Sequence, residues 1–224
     1  SDGNANALSL RLVLQRSSVD APFFSRSGSD FSLSVQATPP FSLWDGKNYA
    51  SKQLSDQDRY RWIEFHKWLL KGRWYFPLTP NQNLVLMLGA EMGYLGHYNK
   101  NKVSPFERFE IGGDGMTGYN IYGVDIIALR GYEDGALDPS DYYPVILKPN
   151  SSIYVLGFLE GGNGFNSWKE FSPFKIKRSA GFGVRLFLPV VGMLGIDWGY
   201  GFDAPYGSTT PSGSQFHFVM GQQF

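Results

Sequence analysis

Three histidines are the only imidazoles in the chain, His66, His97 and His217, and they lie too far apart to share the short spacings of a metal site. Hydrolysis would need an acid, a base and a nucleophile gathered at one place. Asp56, Asp58, His97 and Asp114 could in principle be assembled that way, but charges on surface loops are the plainer account. The stretch "GGDG" carries glycine and acid without the repeated pattern of a calcium loop. With no cysteine in the chain, disulfides, thiolate metal ligands and thiol nucleophiles are excluded. No cofactor, metal site or catalytic group is therefore expected, and the protein is not read as an enzyme. One cluster remains. In "IIALRGYEDG", residues 126–135, an arginine and two acids follow an apolar run, with Gly131 and Gly135 on either side of the tyrosine and the acids. Arg130 is either a solvated loop charge or half of a structural clamp, and the elements around it decide which.

Those elements read as strands. Leu8, Leu10, Leu12 and Leu14 fall on one face of "ALSLRLVLQRS", with Ser9, Arg11, Val13 and Gln15 on the other. Phe31, Leu33, Val35 and Ala37 oppose Ser32, Ser34, Gln36 and Thr38 in the same way. In "KIKRSAGFGVRLFLP" the apolar row Ala180, Phe182, Val184, Leu186 and Leu188 faces away from Lys177, Ser179, Gly181, Gly183 and Arg185, with Arg178 breaking the row as a membrane-interface residue would. "MLGIDWGYGFD" places Leu194, Ile196, Trp198, Tyr200 and Phe202 opposite glycines, Asp197 and Asp203. "RYRWIEFHKWLLKGRWYFPL" also satisfies a helical spacing, but Trp68, Leu70, Trp74 and Phe76 alternating with Lys67, Lys71, Arg73 and Tyr75 favour a strand. The turn "TPNQN" then joins it to "NLVLMLGAEMGYLGHY", whose outer row runs from Leu84 to Tyr94 and whose inner row holds Glu91. "SSIYVLGFLEGGN" is apolar on both faces, so both should touch something dry.

Such strands build either a soluble sandwich or a membrane barrel with a greasy exterior. A sandwich would place long, solvent-loving side chains opposite the apolar rows, whereas glycine, serine, aspartate and isolated arginines stand there. Tryptophan and tyrosine gather near strand ends at Trp62, Trp74, Tyr75, Tyr94 and Tyr98, as interfacial girdles require. The chain shows no stretch of the ~20 apolar residues of a membrane helix, but a spanning strand needs only ~9–11 residues with every second one apolar. The 20 basic and 20 acidic side chains cancel, which argues against a nucleic-acid partner. The expected fold is all-β, a transmembrane antiparallel β-barrel in contact with the lipid bilayer.

In "FERFEIGGDG" through "ALRGYEDGALDP", Phe106 to Pro139, paired glycines at Gly112 and Gly113 are followed by an Arg-Gly-aromatic tripeptide at Arg130, Gly131 and Tyr132. The tract resembles the sixth extracellular loop of the BamA family of outer-membrane protein assembly factors, in which such a tripeptide folds back into the lumen. "RSAGFGVRLFLPVVGMLGIDWGYGFD" resembles the antepenultimate and penultimate strands, joined by a tight turn after a proline. "QFHFVMGQQF", with Phe216, Phe218, Met220 and Phe224 on one face, looks like the terminal targeting strand of bacterial outer-membrane barrels. "SRSGSDFSLSVQATPP" resembles the eighth-to-ninth hairpin region, while the rest of the first 95 residues match only as generic strands.

The resemblance implies that residues 1–224 are the carboxy-terminal half of a sixteen-stranded barrel, with a lumen-entering loop over about 97–145. Periplasmic domains and the first barrel strands would then lie outside this chain. After Pro139 the family has a whole strand where only "SDYYPVILKPN" is available, so a very short strand or missing residues are expected there. The resemblance also implies an acidic partner for the loop arginine at Glu160, with Glu133 and Asp134 as competitors. Tyr154, Leu156 and Phe158 would offer Tyr132 a dry surface. The implied function is insertion and folding of other outer-membrane barrels in the bacterial outer membrane. Its partners would be unfolded clients and accessory subunits, lipoproteins among them. The last strand would close an openable seam, with Gly221 its weak point. A passive pore, a protein-secretion channel of the same superfamily, and a surface barrel whose loops grip a ligand are the alternatives.

Overall fold

A computed structural model describes residues 5–22, 24–51, 54–113, 124–133, 135–137, 145–152, 155–166, 168–188 and 192–220. For residues 145–152, 168, 186–188, 192–193 and 220 only the backbone is described.

Nine strands among the described residues form one antiparallel sheet in which neighbours in sequence are neighbours in space, apart from a single excursion. They are β1 (Leu10–Ser17), β2 (Gly28–Ala37), β3 (His66–Pro77), β4 (Val85–Gly96), β7 (Val145–Ser152), β8 (Val155–Asn163), β9 (Lys177–Leu188), β10 (Gly192–Gly201) and β11 (Gly213–Met220). Between β4 and β7 the chain leaves the wall and forms a two-stranded parallel pair, β5 (Arg108–Ile111) and β6 (Val124–Ile127). Two short helices, α1 (Phe41–Trp44) and α2 (Asp56–Arg59), lie in the connection from β2 to β3, and Ser55 caps α2 by accepting from the Asp58 amide at 3.1 Å. No described helix is long and apolar enough to cross a membrane, and the spans are made by strands of 8 to 12 residues.

The register carries each apolar row across the sheet. Leu12 pairs with Val35, Val35 with Trp68, and Trp68 with Tyr94; farther along, Gly157 pairs with Phe182, Phe182 with Trp198, and Trp198 with Phe216. Every outward residue thus has outward neighbours, because a period of two fixes the face once one pair is set. Phe216, Phe218, Leu159 and Phe182 remain largely exposed on this surface, the apolar side chains a bilayer would cover. Trp74 belongs to the outer row, but Tyr75 next to it turns inward and is buried, and Tyr98 spends its hydroxyl on the Thr38 carbonyl at 2.9 Å. These two tyrosines are therefore wall and loop residues, not members of a girdle.

The strand sought after Pro139 is present as β7, which pairs with β4 from Met92↔Val145 to Leu86↔Ser151 and with β8 on its other edge. Pro139 itself, and the Pro189 turn between β9 and β10, lie outside the described residues. Lys148 and Pro149 interrupt the alternation of β7 in sequence, and proline removes one donor from the ladder. The backbone nevertheless extends, paired continuously with β4 over 145–151 and with β8 on either side of Lys148 and Pro149.

The dry interior of the described sheet is built mainly by the loop. Phe109, Ile111, Ile127, Leu129, Tyr132 and Leu137, all from the β4–β7 excursion, pack into one cluster with Leu69 of β3, and Leu95 of β4 lies against it. Phe109 sits so close to the inner face of β4 that a Cβ on Gly93 would come within 2.7 Å of its ring. On that side Lys67 reaches from β3 to Asp125 at 2.6 Å and to Glu107 at 3.3 Å, beneath the Phe109 ring. Burial raises the Glu107 carboxyl above its ordinary range against the opposing pull of Lys67.

Candidate functional site: a lumenal loop clamp

The clamp is assembled by the turn that follows β6. Gly112 and Gly113 adopt left-handed backbone angles, φ 134° and 67°, at the base of the loop. Gly112 donates to the Ile127 carbonyl at 3.2 Å and Gly113 to that of Tyr132 at 2.9 Å, and a Cβ on Gly112 would lie 2.0 Å from the Glu133 carbonyl oxygen. Only glycine fits such an approach. The two ends of the tip are thereby sewn together, and the turn between them points Arg130 at the wall.

Arg130 is buried, and its partners are fixed groups of the wall. Its amide donates to Glu160 Oε2 at 2.8 Å, its Nε and Nη2 to Glu160 Oε1 at 3.0 and 2.5 Å, and its Nη1 to Asp197 Oδ2 at 3.0 Å. The guanidinium lies over the Phe158 ring, 3.7 Å from its centroid. A planar fork can serve two carboxylates and stack on an aromatic face at once, which a lysine ammonium cannot. Asp197, with no exposed surface, also accepts from Arg185 Nη1 at 2.5 Å and Nη2 at 2.7 Å. Two guanidinium groups and two carboxylates thus form a balanced chain running from the loop through β8 and β10 to β9.

Gly131 follows with φ 89° and rests on a floor of small residues. A Cβ on Gly199 would stand 2.7 Å from the Gly131 nitrogen, and one on Gly201 2.5 Å from its carbonyl oxygen. The Gly131 amide donates to His217 Nε2 on β11 at 3.0 Å. Tyr132 then buries its ring in the loop core and donates its hydroxyl to the Arg178 carbonyl at 2.7 Å. Burial pushes that phenol up to about 12, so it remains a donor at any physiological pH. At the rim Arg178 pairs with Asp203 through its amide and side chain, and these hydrogen bonds hold the Asp203 carboxyl below its ordinary range.

Of the residues singled out from sequence, Arg130, Gly131, Tyr132, Glu160, Gly112 and Gly113 are brought together. Glu160 meets Arg130, Glu133 is exposed, and Asp134 lies outside the described residues. Phe158 lies under the Arg130 guanidinium, and Tyr132 packs in the cluster of loop residues with Leu69 of β3. Tyr154 lies outside the described residues. Asp197 and His217 were not assigned to the clamp from sequence. Their signal was available, since a charge or imidazole on the inward row of a membrane strand marks a functional site by default. Asp56 and Asp58 sit exposed on α2, and Asp114 lies outside the described residues. Phe216 and Phe218 face outward on β11 opposite Trp198 and Ile196, and Met220 pairs with Leu194. Gly221 and Phe224 lie outside the described residues.

The floor makes a prediction that involves no charge. Gly199→Val should prevent the tip from seating, since its side chain would occupy the place of the Gly131 backbone. The expected result is faster proteolytic cleavage within 124–137 while the barrel keeps its heat-resistant mobility on gels. Cleavage at the wild-type rate would mean that the floor does not position the tip.

The Omp85 superfamily domain matches residues 1–224. The outer membrane protein assembly factor BamA of Neisseria meningitidis serogroup B (strain ATCC BAA-335 / MC58) is 41% identical over 69 residues, which are 31% of this chain and 7% of that protein. The crystal structure of BamA from Haemophilus ducreyi lacking POTRA domains 1-3 is similar in fold, with a TM-score of 0.65 at 16% identity over 94% of this chain and 41% of that one. The chain therefore spans less than half of the solved relative it resembles. Apolar rows turned outward, a polar and glycine-lined inner face, a loop tip held within it and a family match over the whole length lead to one assignment: the chain belongs to the Omp85 superfamily and forms part of an outer-membrane β-barrel of bacteria.

Proposed function

We propose that this chain is the carboxy-terminal part of the barrel subunit of a machine that inserts and folds other outer-membrane proteins, without covalent chemistry. The observation that carries the reading is the loop seated on the inner face of the sheet. Phe109, Ile111, Ile127, Leu129, Tyr132 and Leu137 cover the inner side of the sheet with a packed apolar cluster, and Arg130 joins it through a chain of ion pairs. A passive pore needs that space open to water. A barrel that works through its wall does not. The working surface would be the seam edge of β11, where the backbone groups of an edge strand can accept a client strand by β-augmentation. Its partners in this reading are unfolded barrel clients, the bilayer and accessory subunits, lipoproteins among them. Gly221 would weaken the end of the strand, because a strand glycine packs nothing.

The test is reconstitution of the full-length protein in liposomes with an unfolded barrel client. Faster conversion of the client to its heat-resistant form than in empty liposomes is expected. Steady ionic conductance in planar bilayers with no gain in client folding would instead favour the secretion-channel or pore reading. Uniform hydrogen-exchange protection along 216–224 would remove the weak point at Gly221.

A further inference from the structure

We propose that His217 is a proton-sensitive latch through which the seated loop tip holds the terminal strand. This rests on reading β11 as the seam strand. Glu160 and Asp197 tie the tip to β8 and β10, strands in the interior of the wall. The Gly131–His217 bond reaches one strand farther, to β11 itself. It is a backbone donor on a side-chain acceptor, so its existence depends on the protonation state of the imidazole rather than on the loop's sequence.

A neutral imidazole has one nitrogen that donates and one that accepts. Nε2 accepts from the Gly131 amide at 3.0 Å, which fixes the tautomer with its proton on Nδ1. Once the second nitrogen is protonated, both ring nitrogens are donors, and two N–H groups then point at each other across the contact. The bond is lost and a cation is added to the site. Asp197 is the register partner of His217 on β10 and pairs with Arg130 from the loop and Arg185 from β9, and Arg130 pairs in turn with Glu160 from β8. They are two cations and two anions already paired with one another, so an added imidazolium must compete with Arg130 for Asp197. Both effects loosen the tip. His217 is buried and Gly131 cannot retreat, since Ser179, Gly199 and Gly201 back it at contact distance. Seating of the tip and the position of β11 are therefore one event. Histidine is the side chain whose charge responds most readily to acidification, so protonation of His217 unlinks them.

The experiment is hydrogen exchange of the full-length protein in nanodiscs, read at the Gly131 amide and in the peptide covering 213–220 and corrected for the intrinsic effect of pH. The wild type at pH 8 and 5 is compared with His217→Gln and His217→Leu. In the wild type, exchange at Gly131 should rise about five- to tenfold on acidification, the effect of losing one buried hydrogen bond. Glutamine, whose Oε1 accepts a bond but does not titrate, should give slow exchange at both pH values. Leucine should give fast exchange at both, with β11 loosened in parallel. Equal, slow exchange for the wild type and His217→Leu at pH 8 would overturn the latch. So would a pH response that persists in His217→Gln, because another group would then carry it. The wild-type comparison stands without either variant should one fail to fold. Client folding is measured separately, so loss of the latch with insertion intact is distinguished from failure of the insertion reading.

Discussion

Replacing Arg130 with alanine will release the loop tip from the wall at a cost of about 3–5 kcal/mol, the range for removing one partner of a buried ion pair. The Glu160 carboxylate loses the Nε and Nη2 donors of the guanidinium while the backbone amide of residue 130 can still reach it, and Asp197 is left with Arg185. The larger part of the cost is the first of these, because Glu160 is almost wholly buried and loses its ion pair with the guanidinium, whereas Asp197 keeps its pair with Arg185. The loss corresponds to on the order of a hundredfold or more in the ratio of seated to released tip, since every 1.4 kcal/mol is about tenfold. Arg130→Lys should recover little, as a single ammonium cannot bridge two carboxylates and stack on Phe158 together. Glu160→Gln should be milder in the same direction, for it retains the shape and part of the hydrogen bonding. Limited proteolysis across 112–135 in the membrane-embedded protein measures the release, with heat-resistant mobility as the check that the barrel is intact. A cleavage rate indifferent to Arg130→Ala would reduce the arginine to an ordinary loop charge, worth at most about 1 kcal/mol.

Asp197→Asn is the second large effect, and it should act in two places. Asp197 joins a loop guanidinium to a wall guanidinium, so its neutralisation takes from Arg130 one of its two carboxylates and from Arg185 the carboxylate that faces it across the strand pair. Its environment offers no room to adjust: Gly183 lies directly opposite, where a Cβ would come within 1.7 Å of Asp197 Oδ1. Loss of about 3–5 kcal/mol is expected, divided between tip release and weakening of the β9–β10 wall. The two parts separate in a double-mutant cycle. Arg130→Ala combined with Asp197→Asn should fall short of the sum of the single effects by about 1 kcal/mol or more, and Arg185→Ala with Asp197→Asn should do the same for denaturant-induced unfolding of the barrel. Strict additivity in both cycles would mean that the chain of charges is a set of independent contacts.

Such a chain is also a reason for the glycines on the inward rows. Gly181, Gly183, Gly195, Gly199 and Gly201 leave backbone bare where Phe158, Asp197, Arg185 and the loop tip lie close on the sheet. The cost is a wall with few side chains of its own in this region, and the loop supplies them. Phe109, Leu129 and Tyr132 fill space that a smaller barrel would fill from its strands.

The strands were legible because period two survives any tertiary context: once one face of a strand meets hydrocarbon, every second residue must be apolar, and the sequence records that directly. Leu10, Leu12 and Leu14, the Phe182 row and the Trp198 row all fell on the face expected of them. The exceptions have local causes. β7 was obscured by Lys148 and Pro149, and the parallel pairing of β5 with β6 has no signature in runs of four residues. For the clamp, the arginine, its flanking glycine and its first acid could be named, whereas Asp197 and His217 could not be assigned to it. Those two lie 67 and 86 residues from the residues they bind, on strands whose lateral order and stagger set the distances. Alternation along a strand fixes only which way a side chain faces. How far one strand slides against the next, and therefore which inward groups meet beneath the loop tip, is settled by the backbone ladder of the assembled sheet, and that information exists only in three dimensions.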